Sequence, residues 1–140
     1  MKHELVTFLY GQGLKKDFKE FEVYFNVPEI DWNTWKVKVP KETKVLVGFS
    51  MGAILACELS TQKKFQKLVL CSMMPGVETL KNIKADEVIF LVGEKEKWTH
   101  KETKRVSKTL SCVKSIIVIP GADHRLAGNY RRKLLEILNK

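Results

Sequence analysis

Residues 44–52 read Lys-Val-Leu-Val-Gly-Phe-Ser-Met-Gly, and no other stretch limits the fold so tightly. The apolar run Val45-Leu46-Val47 leads into Gly48-Phe49-Ser50-Met51-Gly52. An apolar, helix-like segment, Ala53–Leu59, follows without a gap. Strand, G-x-S-x-G and helix in that order put Ser50 on a strained strand-to-helix turn, with its hydroxyl pushed out at the top of a sheet. Gly48 and Gly52 are then needed because neighbouring backbone passes within contact distance of the turn. The helix behind Ser50 opens with free N–H groups that face any negative charge developing at the serine. A bare G-x-S-x-G is a weak pattern; its setting between a strand and a helix gives it weight.

The rest of the chain repeats this alternation. Strand candidates are Leu5–Tyr10, Phe21–Val27, Lys44–Phe49, Lys67–Cys71, Val88–Val92 and Ser115–Ile119. Most are continuous apolar runs, the pattern of strands buried on both faces of a parallel sheet. Helices are expected at Met51–Gln62, Trp98–Leu110 and Leu126–Asn139, with a short one at Lys15–Lys19 and one helical turn within Asp31–Trp35. Such alternation predicts a layered α/β fold. Only Gly11–Glu20 separates the first two strands, which barely permits a parallel crossover. The loop Ser72–Glu87 holds a short helix at most.

With 140 residues, 44% of them hydrophobic, the chain suits one domain spanning residues 1–140. No apolar run approaches the ~20 residues of a membrane span, and the start lacks a signal-peptide layout. The expectation is a cytoplasmic protein. Cys57, Cys71 and Cys112 lie in or beside apolar segments without C-x-x-C spacing and read as buried free thiols. The net charge of +9 is nearly all lysine, since the arginines are Arg105, Arg125, Arg131 and Arg132 alone. Nucleic-acid readers favour arginine forks, and no nucleic-acid motif is visible. The lysines read as a solvated surface, compatible with anionic substrates or an acidic partner protein.

A serine needs a base to take its proton and a carboxylate to orient that base. Of His3, His100 and His124, the last directly follows a strand, in Ile119-Pro120-Gly121-Ala122-Asp123-His124. Sites in open α/β sheets assemble in loops at the carboxyl ends of strands, so His124 shares an edge with Ser50. The acid is expected from another strand end. Glu96 lies far enough past Val88–Val92 to turn back towards His124, with Glu94 and Glu78 as competitors; Asp123 adjoins His124 too closely to orient it. A solvated charge run explains Glu94–Lys97 as well. One oxyanion donor is the Met51 N–H. The second is sought in Tyr10-Gly11-Gln12-Gly13, where glycine lets backbone approach a bound carbonyl, with the Gln12 N–H as best candidate. Gly11 would then border the substrate, and Met73, Met74 and Trp98 are candidates for an apolar acyl-side wall, although such residues also serve as core.

Taken in order, the Gly11-Gln12-Gly13 turn, the Gly48–Gly52 elbow, the strand ending Gly93-Glu94-Lys95-Glu96 and the ending Pro120-Gly121-Ala122-Asp123-His124 resemble an α/β-hydrolase over nearly the whole chain. The resemblance implies about six mainly parallel strands with helices on both faces, a three-layer sandwich. It implies a triad of Ser50, Glu96 and His124, with Gln12 and Met51 lining an oxyanion hole. Tyr10 replaces the histidine often found before the first glycine turn, and glutamate replaces the commoner aspartate. The chain begins near the family's third strand and has no room for a cap. The implied activity is cleavage of a small-molecule ester or thioester through an acyl-enzyme, with no metal or cofactor and an open, shallow site. An acidic carrier protein as substrate bearer, a non-catalytic binding module for an acidic partner, and a monomer or homodimer are further expectations.

Overall fold

A computed structural model describes residues 3–11, 15–73 and 78–139. Gln12, Gly13 and Met74 therefore lie outside the described residues, as does the side chain of Glu78. The strands are β1 (His3–Leu9), β2 (Phe25–Asn26), β3 (Ile30–Asp31), β4 (Lys36–Val37), β5 (Val45–Phe49), β6 (Phe65–Cys71), β7 (Ala85–Gly93) and β8 (Val113–Ile119). The α-helices are α1 (Met51–Ser60), α2 (Lys97–Ser107) and α3 (Asn129–Leu138), and short 3-10 helices span Lys15–Val23 and Glu78–Asn82.

Six strands form one sheet in the order β2-β1-β5-β6-β7-β8, and every neighbouring pair is parallel. The consecutive residues Leu46–Phe49, Leu68–Cys71 and Val88–Gly93 are all buried. Successive side chains of a strand point to opposite faces, so these runs require cover on both. Helix α1 packs on β5, β6 and β1, α2 on β7 and β8, and α3 on β8. Each fully buried aliphatic side chain contributes about 1.5–3 kcal/mol, which makes the three central strands the stable frame of the molecule. Helix α1 buries Gly52, Ala53, Leu55, Ala56, Cys57 and Ser60, which accounts for its nearly continuous apolar sequence.

Chain direction across the sheet reverses between β1 and β5. From β1 the chain steps outward to β2, then returns to the other side of β1 as β5. The carboxyl ends of strands at such a switch point form the crevice where open α/β sheets bind ligands. Ser50 and Gly11 stand on either side of it. Between β6 and β7 the described residues form only the Glu78–Asn82 3-10 helix, and no cap domain is inserted among them.

Two expectations fail, both between β1 and β5. Phe21–Val27 is not a strand: the 3-10 helix runs to Val23 and only Phe25–Asn26 pair with β1. Its aromatics mimic a strand, but Phe21 stacks on Phe8 at 4.8 Å between centroids and Phe25 is fully buried. Packing against one face thus overrides β-propensity. Asp31–Trp35 is not a helical turn either. Ile30 and Asp31 pair antiparallel with Val37 and Lys36 as a hairpin. The Asp31 carboxylate accepts the Asn33 N–H at 3.0 Å, the Asx-type contact that favours turns. Tyr10 anchors the hairpin: its hydroxyl accepts the Ile30 N–H at 2.6 Å while its ring stacks on Phe18.

Candidate active site

The turn after β5 forces Ser50 to φ 57°, ψ −117°, backbone that costs a non-glycine residue about 1–3 kcal/mol. Neighbouring contacts hold it there. The Ser50 N–H donates to the Cys71 carbonyl at 2.8 Å, and its own carbonyl accepts from the Ala53 N–H at 3.0 Å. A Cβ at Gly52 would run into the carbonyl oxygens of Leu9 and Tyr10, and one at Gly48 into the backbone of Gly52 and Ala53. The elbow is therefore locked between β1 and α1, with the Met51 N–H on the first turn of the helix.

His124 reaches this point from the far side of the sheet. After β8 the chain turns through Gly121 (φ 69°). The Ala122 carbonyl accepts the Lys95 N–H at 2.9 Å, and a Cβ at Gly93 would overlap that same carbonyl. The glycine at the end of β7 thus lets the histidine loop close against the strand. There His124 Nε2 lies 3.0 Å from Ser50 Oγ, and Nδ1 lies 2.6 Å from Glu96 Oε2. The Phe49 ring packs beside the imidazole at 5.3 Å between centroids.

Glu96 precedes α2, and its carboxylate folds back on β7. Oε1 accepts the Gly93 N–H at 2.9 Å and the Ser72 hydroxyl at 2.6 Å, which leaves Oε2 for His124. The Glu96 side chain is 6% exposed and that of His124 is 46% exposed. Burial alone would raise the Glu96 pKa, but the hydrogen bonds from His124, Ser72 and Gly93 outweigh it and hold the carboxyl below its ordinary range. The hydrogen bond to Glu96 raises the His124 pKa, partial burial opposes this, and the charges of Glu96 and Asp123 add to the rise. A carboxylate on Nδ1 keeps the proton there and leaves the Nε2 lone pair facing the Ser50 hydroxyl. The arrangement suits transfer of the Ser50 proton to Nε2.

The other candidates are placed elsewhere. Glu94 Oε1 accepts the Gly121 N–H at 2.9 Å and so ties down the histidine loop. Asp123 pairs with Arg125 at 2.9 Å. The His100 backbone N–H bonds the Glu96 carbonyl within the first turn of α2. Gly11 is buried beside the elbow, and a Cβ there would sit 3.4 Å from Ser50 Cβ. Met73 is 2% exposed and its Sδ accepts from the Cys57 thiol at 3.9 Å, a core position. Trp98, on the first turn of α2, is 65% exposed. Sequence reasoning passed over Ser72 and Tyr130, whose hydroxyls lie 2.7 Å apart behind Glu96. Ser72 follows β6 directly, at the sheet edge where site residues gather, and that position was the available signal.

No protein-family model and no curated protein matches this sequence. Solved structures match it in fold. A dienelactone hydrolase from Anabaena variabilis superposes with a TM-score of 0.74 at 15% identity, covering 99% of this chain and 85% of its own. XC6422 from Xanthomonas campestris, an α/β serine hydrolase without a lid, gives 0.59 at 13% identity, over 96% and 78%. The type II thioesterase YbtT of the yersiniabactin biosynthetic pathway gives 0.61 at 14% identity, over 97% and 91%. The chain has the α/β-hydrolase fold, and these three structural neighbours are hydrolases.

Proposed function

We propose that residues 1–140 form a single hydrolase domain that cleaves short or exposed carboxylic esters or thioesters through Ser50, His124 and Glu96. The observation that carries this reading is the chain of hydrogen-bond contacts from Ser50 Oγ to Nε2 (3.0 Å) and from Nδ1 to Glu96 (2.6 Å), with the serine on a strained elbow. In this reading His124 takes the Ser50 proton as Oγ attacks the acyl carbonyl. Glu96 keeps the imidazole in the correct tautomer and stabilises the imidazolium that forms. The tetrahedral oxyanion is assigned to the Met51 N–H and to the N–H of Gln12, the next residue in sequence after Gly11, whose own backbone lies beside Ser50. His124 then protonates the leaving alcohol or thiol, an acyl-enzyme remains, and water activated by the same base releases the acid. Trp98 offers an apolar wall on the acyl side. The residues of this chain supply each of these steps.

The test is hydrolysis of p-nitrophenyl acetate and butyrate by wild type and Ser50→Ala, with circular dichroism to establish that both are folded. The proposal expects turnover by wild type and background rates from the variant. Equal turnover by a folded Ser50→Ala protein would remove Ser50 as nucleophile. A folded wild type that hydrolyses no ester or thioester, and whose Ser50 resists fluorophosphonates, would instead favour a binding module.

A further inference from the structure

The Ser72 hydroxyl occupies a costly position. Ser72 is fully buried at the carboxyl end of β6 and takes φ 48°, left-handed backbone that glycine would occupy more cheaply. Its N–H already closes the ladder to β7 by donating to the Leu91 carbonyl at 2.8 Å. What serine adds over glycine is therefore its Oγ, which lies 2.6 Å from Glu96 Oε1 and 2.7 Å from Tyr130 OH.

Proton counting orders these contacts. Ser72 and Tyr130 bring one hydroxyl proton each. The ionised carboxylate only accepts, so the Ser72 proton goes to Glu96. Ser72 Oγ is then free to accept from Tyr130. The Tyr130 hydroxyl also donates to the Leu91 carbonyl at 3.0 Å, beside the Ser72 N–H on that oxygen's other lone pair, so its one proton is shared between Leu91 and the nearer Ser72 Oγ. Tyr130 is itself fully buried, with its ring edge-on to Phe49 at 6.2 Å, so packing fixes where its hydroxyl points. We infer that Ser72 and Tyr130 are positioning residues: donors in series from α3 through β6 lock Glu96 Oε1 and thereby commit Oε2 to His124. This rests on the reading of Ser50, His124 and Glu96 given above.

The physical effect is twofold. A carboxylate rotates readily about its last torsion, and two donors on Oε1, Ser72 Oγ and the Gly93 N–H, prevent the exchange of its oxygens. Donation from Ser72 also spreads the negative charge and weakens the pull of Glu96 on the imidazolium, while the bonds in the series polarise one another. Among the described residues, His124, Ser72 and the Gly93 N–H bond Glu96, the Tyr130 hydroxyl and the un-ionised thiol of Cys71 feel its charge, and Asp123 acts on His124 from its own loop.

The experiment uses Ser72→Ala, Ser72→Gly and Tyr130→Phe. The glycine variant relieves the backbone and guards against a folding defect, and the phenylalanine keeps the ring. Loss of a hydrogen bond to a charged group predicts a roughly ten- to hundredfold lower kcat for both Ser72 variants with KM unchanged. Loss of the more distant, neutral bond in Tyr130→Phe predicts about a two- to tenfold fall. In a Glu96→Gln background Ser72→Ala costs nothing further, because Ser72 acts only through Glu96. A second arm needs no turnover. The His124 Cε1–H resonance, titrated by NMR, shifts to a higher pKa in Ser72→Ala and Ser72→Gly, because the carboxylate bears more charge. A fall would report a carboxylate swung away from Nδ1 and would support the same role. An unmoved titration together with wild-type kcat in folded Ser72 variants overturns the inference while leaving the hydrolase reading intact. A protein without hydrolysis or probe labelling ends that reading, and the NMR arm still decides this one.

Discussion

Ser50 and Glu96 both stand just past the carboxyl end of a parallel strand, yet they are held by opposite means. The Ser50 backbone is set chiefly by its immediate surroundings: φ 57°, Gly48, Gly52, and the first turn of α1. Glu96 lies in an ordinary loop, and its carboxylate is fixed by Ser72 and His124, which are 24 and 28 residues away in sequence. Strained backbone positions the proposed nucleophile, and hydrogen bonds that are mostly long-range position the proposed acid. Damage to the first therefore falls on the fold, and damage to the second falls on the chemistry.

The largest contrast is expected between two neighbouring glutamates. Glu96→Gln leaves the imidazole in the wrong tautomer and lowers kcat by about a thousandfold or more, with little change in melting temperature. Glu94→Gln retains a carbonyl oxygen for the Gly121 N–H and keeps nearly full activity. Equal esterase activity in both variants would remove Glu96 from the orienting role.

Next come the two glycines behind these residues. The new methyl of Gly52→Ala meets the Leu9 and Tyr10 carbonyls at the end of β1, backbone held in the sheet rather than a flexible side chain, and it costs stability on the order of 3 kcal/mol. In Gly93→Ala the obstacle is the Ala122 carbonyl, on the loop that carries His124. The loop yields, so activity falls further than stability. Urea unfolding alongside ester hydrolysis checks both, and the same ratio of the two losses in both variants would erase the distinction drawn above.

The smallest effect is the pH response of the His124–Glu96 pair. The proposed mechanism requires neutral His124, so kcat/KM is expected to rise through a pKa above the ordinary 6.5 and then level. Stability runs the other way on that side. A raised histidine pKa contributes stability that is complete below 6.5 and is lost as pH climbs through the folded value. The depressed Glu96 pKa contributes stability above 4.5 that is lost as pH falls through its folded value. The pair thus stabilises most between 4.5 and 6.5, below the pH at which the site works best. The melting-temperature gap between wild type and His124→Gln should narrow as pH rises from that window, and a widening gap would reverse the assigned sign.

How much of this was legible follows from the same contrast. The elbow could be read from nine residues because its pattern is local, an apolar strand, two small residues and an apolar helix, while Cys71, Leu9 and Tyr10 only close around it. Strands buried on both faces declared themselves as unbroken apolar runs, so β5, β6 and β7 fell close to their expected places. The segment between β1 and β5 misled because its aromatics pack on Phe8 and Tyr10, contacts that no local pattern encodes. Glu96 could be ranked above Glu94 from loop length, but its hold on His124 depends on Ser72 and on the approach of the histidine loop, which meet it only once β6, β7 and β8 lie in register. Tyr130 reads as one more apolar position of the last helix until α3 is docked and its hydroxyl reaches Ser72.

The claim that Ser50 is an activated nucleophile is met most directly by fluorophosphonate labelling followed by intact-mass and peptide mass spectrometry. The account predicts one adduct per chain on the peptide that contains Ser50, no adduct in Ser50→Ala, and slow labelling in His124→Gln. A folded wild-type protein that takes no label, or takes it at another residue at the same rate in Ser50→Ala, would contradict it.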